Sequence, residues 1–387
     1  MDFELSQEQK ILQKTVRDFC ARELIPRAAE WSEHARFPHE IIEPLAELGV
    51  LGIQIPDRYG GAGMGMLDLA VAVEEIGRAD ASVGLTVASH NLLCMDHIYL
   101  AGNEEQRQKY LPRLASGKAL GAWCLTEPDS GSDAGAARTR AIRRNGSAGP
   151  EWVLNGGKSF ITQGSVAGVY VVLASTTPAR KQKGLTAFVL EKGMPGLRPG
   201  RLVQKMGLWA SDTADVVIEE VVVSDAHRLG PIDSGFVDTC KVLDRGRIGI
   251  GAWAVGIGRA ALEASRTYAT QRVQFGRPIS DFQAIRLMLA DMSAELDAAR
   301  LLVWRAATMQ DRGQRTTRES SVAKYYASQA AVKACNAAVQ IHGGYGYLRE
   351  FPVERYLRDV KLAEIGEGTT EIQKLVIARE VLKGQAA

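Results

Sequence analysis

The sequence has little cysteine and almost no excess of charge. Its five cysteines lie far apart and form no C-x-x-C pair, so the sequence indicates neither a zinc site nor a disulfide framework. We therefore expect no metal ion and a reducing compartment, with the cytoplasm as the default location. The chain has 47 basic and 45 acidic residues, and the formal net charge of +2 gives no reason to expect nucleic-acid binding.

Long apolar segments are also missing from the 387 residues. No uncharged apolar run is long enough to span a bilayer, so we expect no membrane insertion. Residues 1–6 lack the basic and apolar regions of a signal peptide. Hydrophobic residues make up 46% of the chain and charged residues 24%, which is typical of a soluble globular protein. The length predicts two or three domains.

Periodic patterns are present, and their order predicts three domains. Apolar residues at a spacing of three or four predict an N-terminal all-α domain over residues 1–119. Short β-branched segments between Gly, Asn, Pro and Lys clusters predict a middle antiparallel β domain over residues 120–232. Two long helical patterns, over residues 282–311 and 320–341, predict a C-terminal four-helix bundle domain over residues 233–387. The fold class is therefore α+β, and the segregated order argues against a Rossmann-type parallel sheet.

One acid near the C-terminus, Glu367, stands between two glycines and directly before the start of a helix. Gly366 and Gly368 allow the backbone to turn sharply and to approach a ligand closely. Thr369 or the next threonine can cap the following helix, and Glu371 suits its positive first turn. Locally, this pattern fits either an acid beside a helix N-terminus or a general base held on a short connection. The rest of the chain has to distinguish between them.

Five other segments, distant from one another in the sequence, have unusual compositions for their positions. Residues 123–135 form a turn rich in hydroxyls, acids and glycines, whose amides and hydroxyls suit a polar, planar ligand. Residues 155–164 combine a hairpin turn with an aromatic ring and a hydroxyl, and residues 243–247 begin a helix. Residues 271–279 form a break between two helices and contain two arginine guanidiniums. Residues 340–347 end a helix with paired glycines. Each segment alone also fits a common turn or helix cap.

Together, these segments resemble the acyl-CoA dehydrogenase family in order and spacing over essentially the whole chain. The strongest motifs are L-T-E-P-x-x-G-S-D at residues 125–133, R-x-x-F-G-x-P at 272–278, Q-x-x-G-G-x-G-Y at 340–347 and E-G-T at 367–369. Residues 243–258 and the C-terminal third are most similar to the short-chain, butyryl-CoA type. The resemblance explains the absence of a GxGxxG motif, because the family binds FAD without a Rossmann unit.

The resemblance implies FAD-dependent dehydrogenation of a short- or branched-chain acyl-CoA to the trans-2-enoyl-CoA. Glu367 would remove the α-proton, FAD would accept the β-hydride, and the electrons would pass to an electron-transfer flavoprotein. It also implies a homotetramer that acts in acyl-CoA metabolism such as fatty acid β-oxidation. Burial beside an acyl chain should raise the pKa of Glu367 from ~4.3 toward the ~6–7 of a working base. Two alternatives stay open: a flavin oxidase of the same fold that reacts with oxygen, and a non-catalytic helical scaffold.

The resemblance also implies ligand contacts for individual residues. The isoalloxazine of FAD would contact Trp123, Leu125, Thr126, Gly131, Ser132, Phe160, Ile161 and Thr162. The pyrophosphate and adenine side of FAD would meet Arg272, Gln274, Phe275 and Gln283. A second FAD, bound mainly by a neighbouring subunit, would be contacted by Gln340, Ile341, Gly343 and Gly344. Thr369 and Glu371 match further positions that contact FAD in the family. The acyl-CoA would contact Ser132, Asp244, Arg247, Gly366 and Gly368.

Two positions, Gly366 and Phe160, differ from residues that are common in the family. Gly366 stands where a tyrosine is frequent, so we expect an acyl pocket that is wider near Cα and accepts branched or bulkier short acyl groups. Some branched-chain relatives that share this glycine place their catalytic acid one residue before Arg247. That position here is Gly246, which leaves Glu367 without a rival acid. Phe160 stands where a tryptophan is frequent and keeps an apolar plane beside the flavin.

Overall fold

The computed structural model describes residues 3–147 and 149–384. Residues 1 and 2, which belong to the segment searched above for a signal peptide, lie outside the described residues. Helices occupy both ends of the chain and a sheet occupies its middle, so the α+β class and the predicted three-part architecture are confirmed. No helix in the described part of the chain is long and apolar enough to cross a membrane.

The N-terminal part is helical, as predicted. Its described α-helices are α1 Gln7–Glu23, α2 Ala28–Glu33, α3 Ile42–Glu47, α4 Met66–Ala79, α5 Ala81–Ser89, α6 Asp96–Ala101 and α7 Glu104–Ala115. Helix α1 begins with a capping box, in which the Gln9 N–H donates to the Ser6 hydroxyl at 3.2 Å and the Ser6 N–H donates to the Gln9 side chain at 3.0 Å. A π-helical turn, His90–Met95, joins α5 to α6 without a break. This turn faces the last domain and borders the candidate site.

The middle part forms an eight-stranded sheet. Its strands are β1 Gly121–Cys124, β2 Arg140–Gly146, β3 Gly149–Thr162, β4 Val169–Ser175, β5 Leu185–Glu191, β6 Leu197–Leu202, β7 Thr213–Ser224 and β8 Arg228–Leu229. The strand order is β6-β7-β3-β2-β4-β5-β8, with β1 paired to β4. Most pairs are antiparallel, as predicted, but β4 pairs with both β1 and β2 in parallel. Strand β4 is buried at every position, as is usual for the centre of a sheet.

The C-terminal part contains four long helices and one shorter helix. They are α8 Gly235–Gln271, α9 Gln283–Asp311, α10 Thr317–His342, α11 Val353–Val360 and α12 Thr370–Leu382. A two-stranded hairpin, β9 Val273–Gln274 and β10 Arg277–Pro278, separates α8 from α9. Helix α10 lies at the centre, because it packs against α8, α9, α11 and α12. The two long helical patterns of the sequence correspond to α9 and α10.

The N-terminal helices and the bundle share one hydrophobic core, in which α4 and α8 approach closely. Trp253 on α8 is fully buried, and its indole N–H donates to the carbonyl of Ala81 at 2.8 Å. A Cβ at Gly84 would lie 2.8 Å from Cδ1 of Trp253, and a Cβ at Gly77 would lie 3.0 Å from the same atom. Small residues on α4 and α5 therefore make room for the indole and fix the spacing of the two domains.

Two carboxylates, Glu74 and Glu75, are buried at the same interface among arginines. The Arg259 guanidinium donates to Glu74 at 2.7 Å and to Glu75 at 2.9 Å. Arg17 donates to both oxygens of Glu75, at 2.8 and 3.1 Å, and Arg300 donates to Glu74 at 2.9 Å. Burial by itself would raise the pKa of Glu75, but the guanidiniums of Arg17 and Arg259 outweigh burial and lower it to about 2. These ion pairs connect α1, α4, α8 and α9.

Candidate active site

Glu367 lies on the short connection that leads into α12. Its backbone has φ +54° and that of Gly368 has φ +97°, so two consecutive residues are in the left-handed region. For a residue other than glycine this conformation costs on the order of 1–3 kcal/mol and needs support from its surroundings. The Thr369 side chain accepts a hydrogen bond from the N–H of Ile372 at 3.3 Å, which confirms the predicted helix cap. The cap fixes the C-terminal side of the connection.

Two buried side chains bind the carbonyls of this connection. The ammonium of Lys324, on α10, donates to the carbonyl of Gly368 at 2.7 Å. The side-chain amide of Gln373, on α12, donates to the carbonyls of Glu367 at 3.2 Å and Gly368 at 2.9 Å. Neither residue belongs to the sites predicted from the sequence. A lysine in the apolar stripe of an Ala-rich helix, and a glutamine on the inner face of α12, are the signals that could have indicated them.

The carboxylate of Glu367 points into the protein and has no direct partner. Its Oε2 atom is buried and lacks a hydrogen-bond partner among the described residues, although part of the residue reaches the surface. A Cβ built at Gly246, on α8, would overlap Oε2 of Glu367 and would lie 3.1 Å from Cδ2 of Leu93. The two acid positions considered in the sequence analysis therefore converge on one point. The glycine at 246 provides the space in which the carboxylate of Glu367 lies.

The electrostatic environment of Glu367 suits a base. Burial raises its pKa to about 7, while the nearby cations of Lys324 and Arg247 oppose the shift. Burial also lowers the pKa of Lys324, to about 8. A carboxylate with a pKa near neutrality has a strong affinity for a proton and is still partly ionised at neutral pH. The value agrees with the range expected from the sequence.

The two residues predicted on the CoA side are part of the support behind Glu367. The Arg247 guanidinium is buried and donates to Asp244 at 2.9 Å, and Asp244 also accepts from the Thr317 hydroxyl at 2.6 Å. Burial lowers the pKa of Arg247 and raises that of Asp244. Arg247 is thus placed to act on the charge of Glu367 from inside the bundle. Contact between this pair and CoA stays a prediction.

A strained bend in β3 presents the predicted flavin-side aromatic residue. Phe160 has φ +58° and lies where the register between β3 and β7 shifts, between Lys158 and Ile161. The shift turns the ring of Phe160 outward, with 61% of the residue exposed, while Ile161 is buried. Thr162 ends the strand. An exposed aromatic face on a rigid strand is suited to pack against a planar ligand.

The turn after β1 is fixed to β3 by a buried ion pair that the sequence analysis did not identify. The Lys158 ammonium is fully buried and donates to Glu127 at 2.7 Å, to the Leu125 carbonyl at 3.2 Å and to the Leu173 carbonyl at 2.7 Å. Nearby, the N–H of Ser159 donates to the carbonyl of Thr126 at 2.9 Å. The predicted contacts on the turn and on β3 are therefore held side by side.

The remaining flavin-side residues differ in exposure. Trp123 is half-buried, and its indole N–H donates to Nδ1 of His97 at 3.0 Å. Leu125 is buried, whereas Gly131 and Ser132 are exposed on the outer part of the turn. No atom lies within 4 Å of a Cβ built at Gly131. The turn therefore has a buried base and an open edge that is free to contact a ligand.

Two of the predicted FAD segments meet in a cleft of about 440 Å³. Arg272 and Gln274 line it from the helix break, and Ile341, Gly343 and Gly344 line it from the end of α10. A Cβ at either of these glycines would meet no atom within 4 Å, so the backbone is open to a ligand. Three other predicted contacts do not line the cleft but are exposed: Phe275, Gln283 and Gln340. Glu371 is also exposed, at the start of α12.

Comparisons with known proteins agree with this architecture. The acyl-CoA dehydrogenase N-terminal, middle and C-terminal domain models match residues 6–118, 122–221 and 233–382. An acyl-CoA dehydrogenase of Bacillus subtilis (strain 168) is 46% identical over 380 residues, covering 98% of this chain and 99% of that protein. Butyryl-CoA dehydrogenase from Megasphaera elsdenii is similar with a TM-score of 0.96 and 40% identity, covering 99% of this chain and 100% of that one. A glutaryl-CoA dehydrogenase from Mycobacterium smegmatis in complex with FADH2 gives a TM-score of 0.92 and 32% identity, covering 99% of this chain and 96% of that one.

The fold and the site together define a flavin-dependent dehydrogenase without a Rossmann unit. The chain belongs to the acyl-CoA dehydrogenase family, which confirms the resemblance seen in the sequence. It is an oxidoreductase, and FAD is its cofactor. The residues fit that cofactor: the guanidinium of Arg272 suits a pyrophosphate, the open backbone at Gly343 and Gly344 allows close approach, and the ring of Phe160 offers an apolar face.

Proposed function

We propose that this protein removes hydrogen from Cα and Cβ of a short- or branched-chain acyl-CoA, giving the trans-2-enoyl-CoA, with Glu367 as the base. The observation that carries the proposal is the Glu367 carboxylate itself. Its Oε2 is buried and unpartnered, and its pKa is raised to about 7. A buried acid without a partner destabilises the fold, and such acids are characteristic of functional sites.

The residues around Glu367 support proton removal from Cα. Lys324 and Arg247 lower the pKa of Glu367 against the effect of burial, so part of the carboxylate is ionised at neutral pH. None of the described residues accepts a hydrogen bond from the N–H of Glu367, which leaves this donor for the thioester oxygen as charge develops there. Bound FAD supplies the acceptor for the β-hydride. Trp123, Thr126, Phe160 and Thr162 would hold its ring system.

Gly366 supports a preference for short branched acyl groups. A Cβ built at this position would lie 3.6 Å from Leu362, which is ordinary contact, so the glycine is not required by packing. Gly366→Tyr should therefore fold and should narrow the pocket near Cα. We expect the wild type to oxidise isobutyryl- and 2-methylbutyryl-CoA about as well as butyryl-CoA, and the variant to lose about 10-fold on the branched substrates alone, roughly the effect of a misfitting methyl group. A strict straight-chain preference of the wild type would contradict this part of the proposal.

Exposed apolar residues near the FAD cleft support a homotetramer. Phe275 is 92% exposed, and Val273 and Leu287 are more than half exposed. Val273 and Phe275 lie on the same hairpin, and exposed apolar patches commonly mark a subunit interface. In the proposed tetramer, residues 340–344 of one subunit reach FAD held mainly by another. We further propose an electron-transfer flavoprotein as acceptor, the cytoplasm as location and fatty acid β-oxidation as the process.

Anaerobic titration of the yellow holoenzyme with an acyl-CoA panel tests the function. We expect a short acyl-CoA to bleach the flavin, and Glu367→Gln to bind FAD and ligand but to bleach about 10²–10⁴-fold more slowly. Glu364→Gln is the matched control, because it changes a nearby acid that is paired with Lys361. Near-normal bleaching of Glu367→Gln would remove Glu367 from its role. Stoichiometric hydrogen peroxide in air would favour an oxidase, and a protein that no acyl-CoA bleaches would favour a scaffold.

A further inference from the structure

The backbone at Glu367 requires support that the ends of the connection do not provide. On one side, the N–H of Gly366 donates to the carbonyl of Leu362 at 2.8 Å, and on the other side Thr369 caps α12. Between these points, Glu367 and Gly368 both have positive φ values. Left-handed backbone at a residue other than glycine persists only when surrounding contacts hold it. The carboxylate would otherwise lose its direction.

Lys324 and Gln373 supply those contacts from two different helices. Both side chains have 0% exposure. Lys324 approaches the carbonyl of Gly368 from α10, and Gln373 reaches the carbonyls of Glu367 and Gly368 from α12. A Cβ at Gly368 would lie 2.7 Å from Nε2 of Gln373, so the amide packs directly against this backbone. The two donors hold consecutive carbonyls beside the carboxylate.

We propose that Lys324 and Gln373 are positioning residues that direct the Glu367 carboxylate toward the substrate by binding the carbonyls of Glu367 and Gly368. This inference rests on the proposed role of Glu367 as the base. A buried lysine is costly, because its ammonium loses hydration. Here the ammonium is bound to the peptide next to the base rather than to a carboxylate.

The charge of Lys324 gives it a second effect, which separates it from Gln373. Lys324 and Arg247, on α10 and α8, are the cations that act on Glu367. Lys324 itself faces Glu367, Arg247, Glu364 and Glu371. Loss of the ammonium should raise the pKa of Glu367, because an opposite charge favours the ionised acid. Loss of the neutral amide of Gln373 should disturb only the position of the base.

The test compares Lys324→Met, Lys324→Arg and Gln373→Met with Lys333→Met, a control on the exposed face of the same helix. The first measurement is the rate of flavin reduction by saturating butyryl-CoA in the anaerobic holoenzyme as a function of pH. Flavin reduction should be about 10- to 100-fold slower in Lys324→Met and in Gln373→Met, because a displacement of a catalytic group by about 1 Å has an effect of this size. The acid limb of the pH profile is the range in which the rate rises as Glu367 ionises. This limb should move to higher pH in Lys324→Met and stay in place in Gln373→Met. Lys324→Arg, which keeps the charge, should restore the limb.

The second measurement is hydrogen exchange of the segment 361–370 in the same holoenzymes without substrate. Exchange should become faster in Lys324→Met and Gln373→Met and stay unchanged in Lys333→Met. Normal exchange together with normal reduction rates would overturn the proposal. A lower melting temperature with an unmoved acid limb in Lys324→Met would also overturn its electrostatic part. If no acyl-CoA reduces the wild type, the proposed function fails, and the exchange measurement still decides whether the two residues hold the connection.

Discussion

Two buried carboxylates in this molecule, Glu75 and Glu367, have opposite electrostatic environments. Glu75 lies between the N-terminal helices and the bundle, where Arg17 and Arg259 bind it directly and its pKa is about 2. Glu367 lies at the end of the bundle with one buried oxygen unpartnered, and its pKa is about 7. Cations act on both acids, but only Glu75 is in hydrogen-bond contact with them.

The difference shows how burial is used in two ways in one fold. Where guanidiniums contact the acid, desolvation is outweighed and the ionised form holds helices together. At Glu367, the cations of Arg247 and Lys324 are near the acid but do not contact it, so the effect of desolvation on the pKa is larger than theirs. The acid therefore keeps its affinity for a proton. Direct contact, rather than the number of nearby charges, distinguishes the structural acid from the base.

The largest expected effect comes from removing one of the structural cations. Arg259→Met leaves Glu74 and Glu75 with fewer partners at a buried interface and should lower the free energy of unfolding by about 3–5 kcal/mol. Urea denaturation of the holoenzyme measures this loss. Arg198→Met is the control, because its pair with Glu219 is exposed and should contribute at most about 1 kcal/mol. A loss below 1 kcal/mol for Arg259→Met would show that the ion pairs of Glu74 and Glu75 with these arginines do not stabilise the fold.

Acid should destabilise the protein through Glu75. Its folded pKa of about 2 lies below the ordinary ~4.3 of an unfolded chain, so its contribution is complete above about pH 4.3 and is lost as pH falls toward 2. The contribution is roughly 3 kcal/mol, at 1.36 kcal/mol for each pKa unit. Unfolding free energies between pH 6 and pH 3 should fall more steeply for the wild type than for Glu75→Gln. Equal slopes would exclude this assignment.

Filling the space above Gly246 should impair the base without affecting the structural cluster. Because a Cβ here would overlap Oε2 of Glu367, Gly246→Ala should displace the carboxylate and slow flavin reduction about 10- to 100-fold. FAD content should stay normal. Gly157→Ala is the control, because a Cβ at this position would lie 3.9 Å from its nearest neighbour, the carbonyl oxygen of Val216. A normal reduction rate in Gly246→Ala would show that the carboxylate lies elsewhere.

A gain in stability is also expected when the base is neutralised. Glu367 has a folded pKa above its unfolded value, so its contribution is present below about pH 4.3 and is lost as pH rises through about 7. Glu367→Gln should therefore become more stable relative to the wild type between pH 5 and pH 8. Melting temperatures across this range measure the trend. If the melting temperature of Glu367→Gln fell relative to that of the wild type as pH rises, Glu367 could not be an unpaired buried acid.

The sequence predicts the architecture and the local backbone well, because both depend on nearby residues. The order of α, β and α patterns predicts the three parts, and the two threonines after Gly368 predict the cap of α12, which the structure assigns to Thr369. The motif at 340–347 and the break at 271–279 are far apart in the chain, yet the family resemblance assigns both to FAD, and the structure places them on one cleft.

Contacts between distant segments could not be predicted in the same way. Lys324 binds a carbonyl 44 residues away, and Lys158 binds an acid 31 residues away. Lys158 does not differ in the sequence from a solvated charge, and the position of Lys324 in the apolar stripe of α10 indicates burial but not its partner. The parallel pairing of β1 with β4 and the left-handed backbone of Phe160 also depend on tertiary structure, because no local turn signal specifies them. These are the features that support the site.

The pH dependence of flavin reduction tests the central claim most directly. Reduction of the anaerobic wild-type holoenzyme by a short acyl-CoA should increase through an acid limb with a midpoint near pH 7, as Glu367 ionises. The limb should disappear in Glu367→Gln, leaving a slow and pH-independent rate. A midpoint near the ordinary ~4.3 of a glutamate, or a limb that persists in Glu367→Gln, would contradict the account.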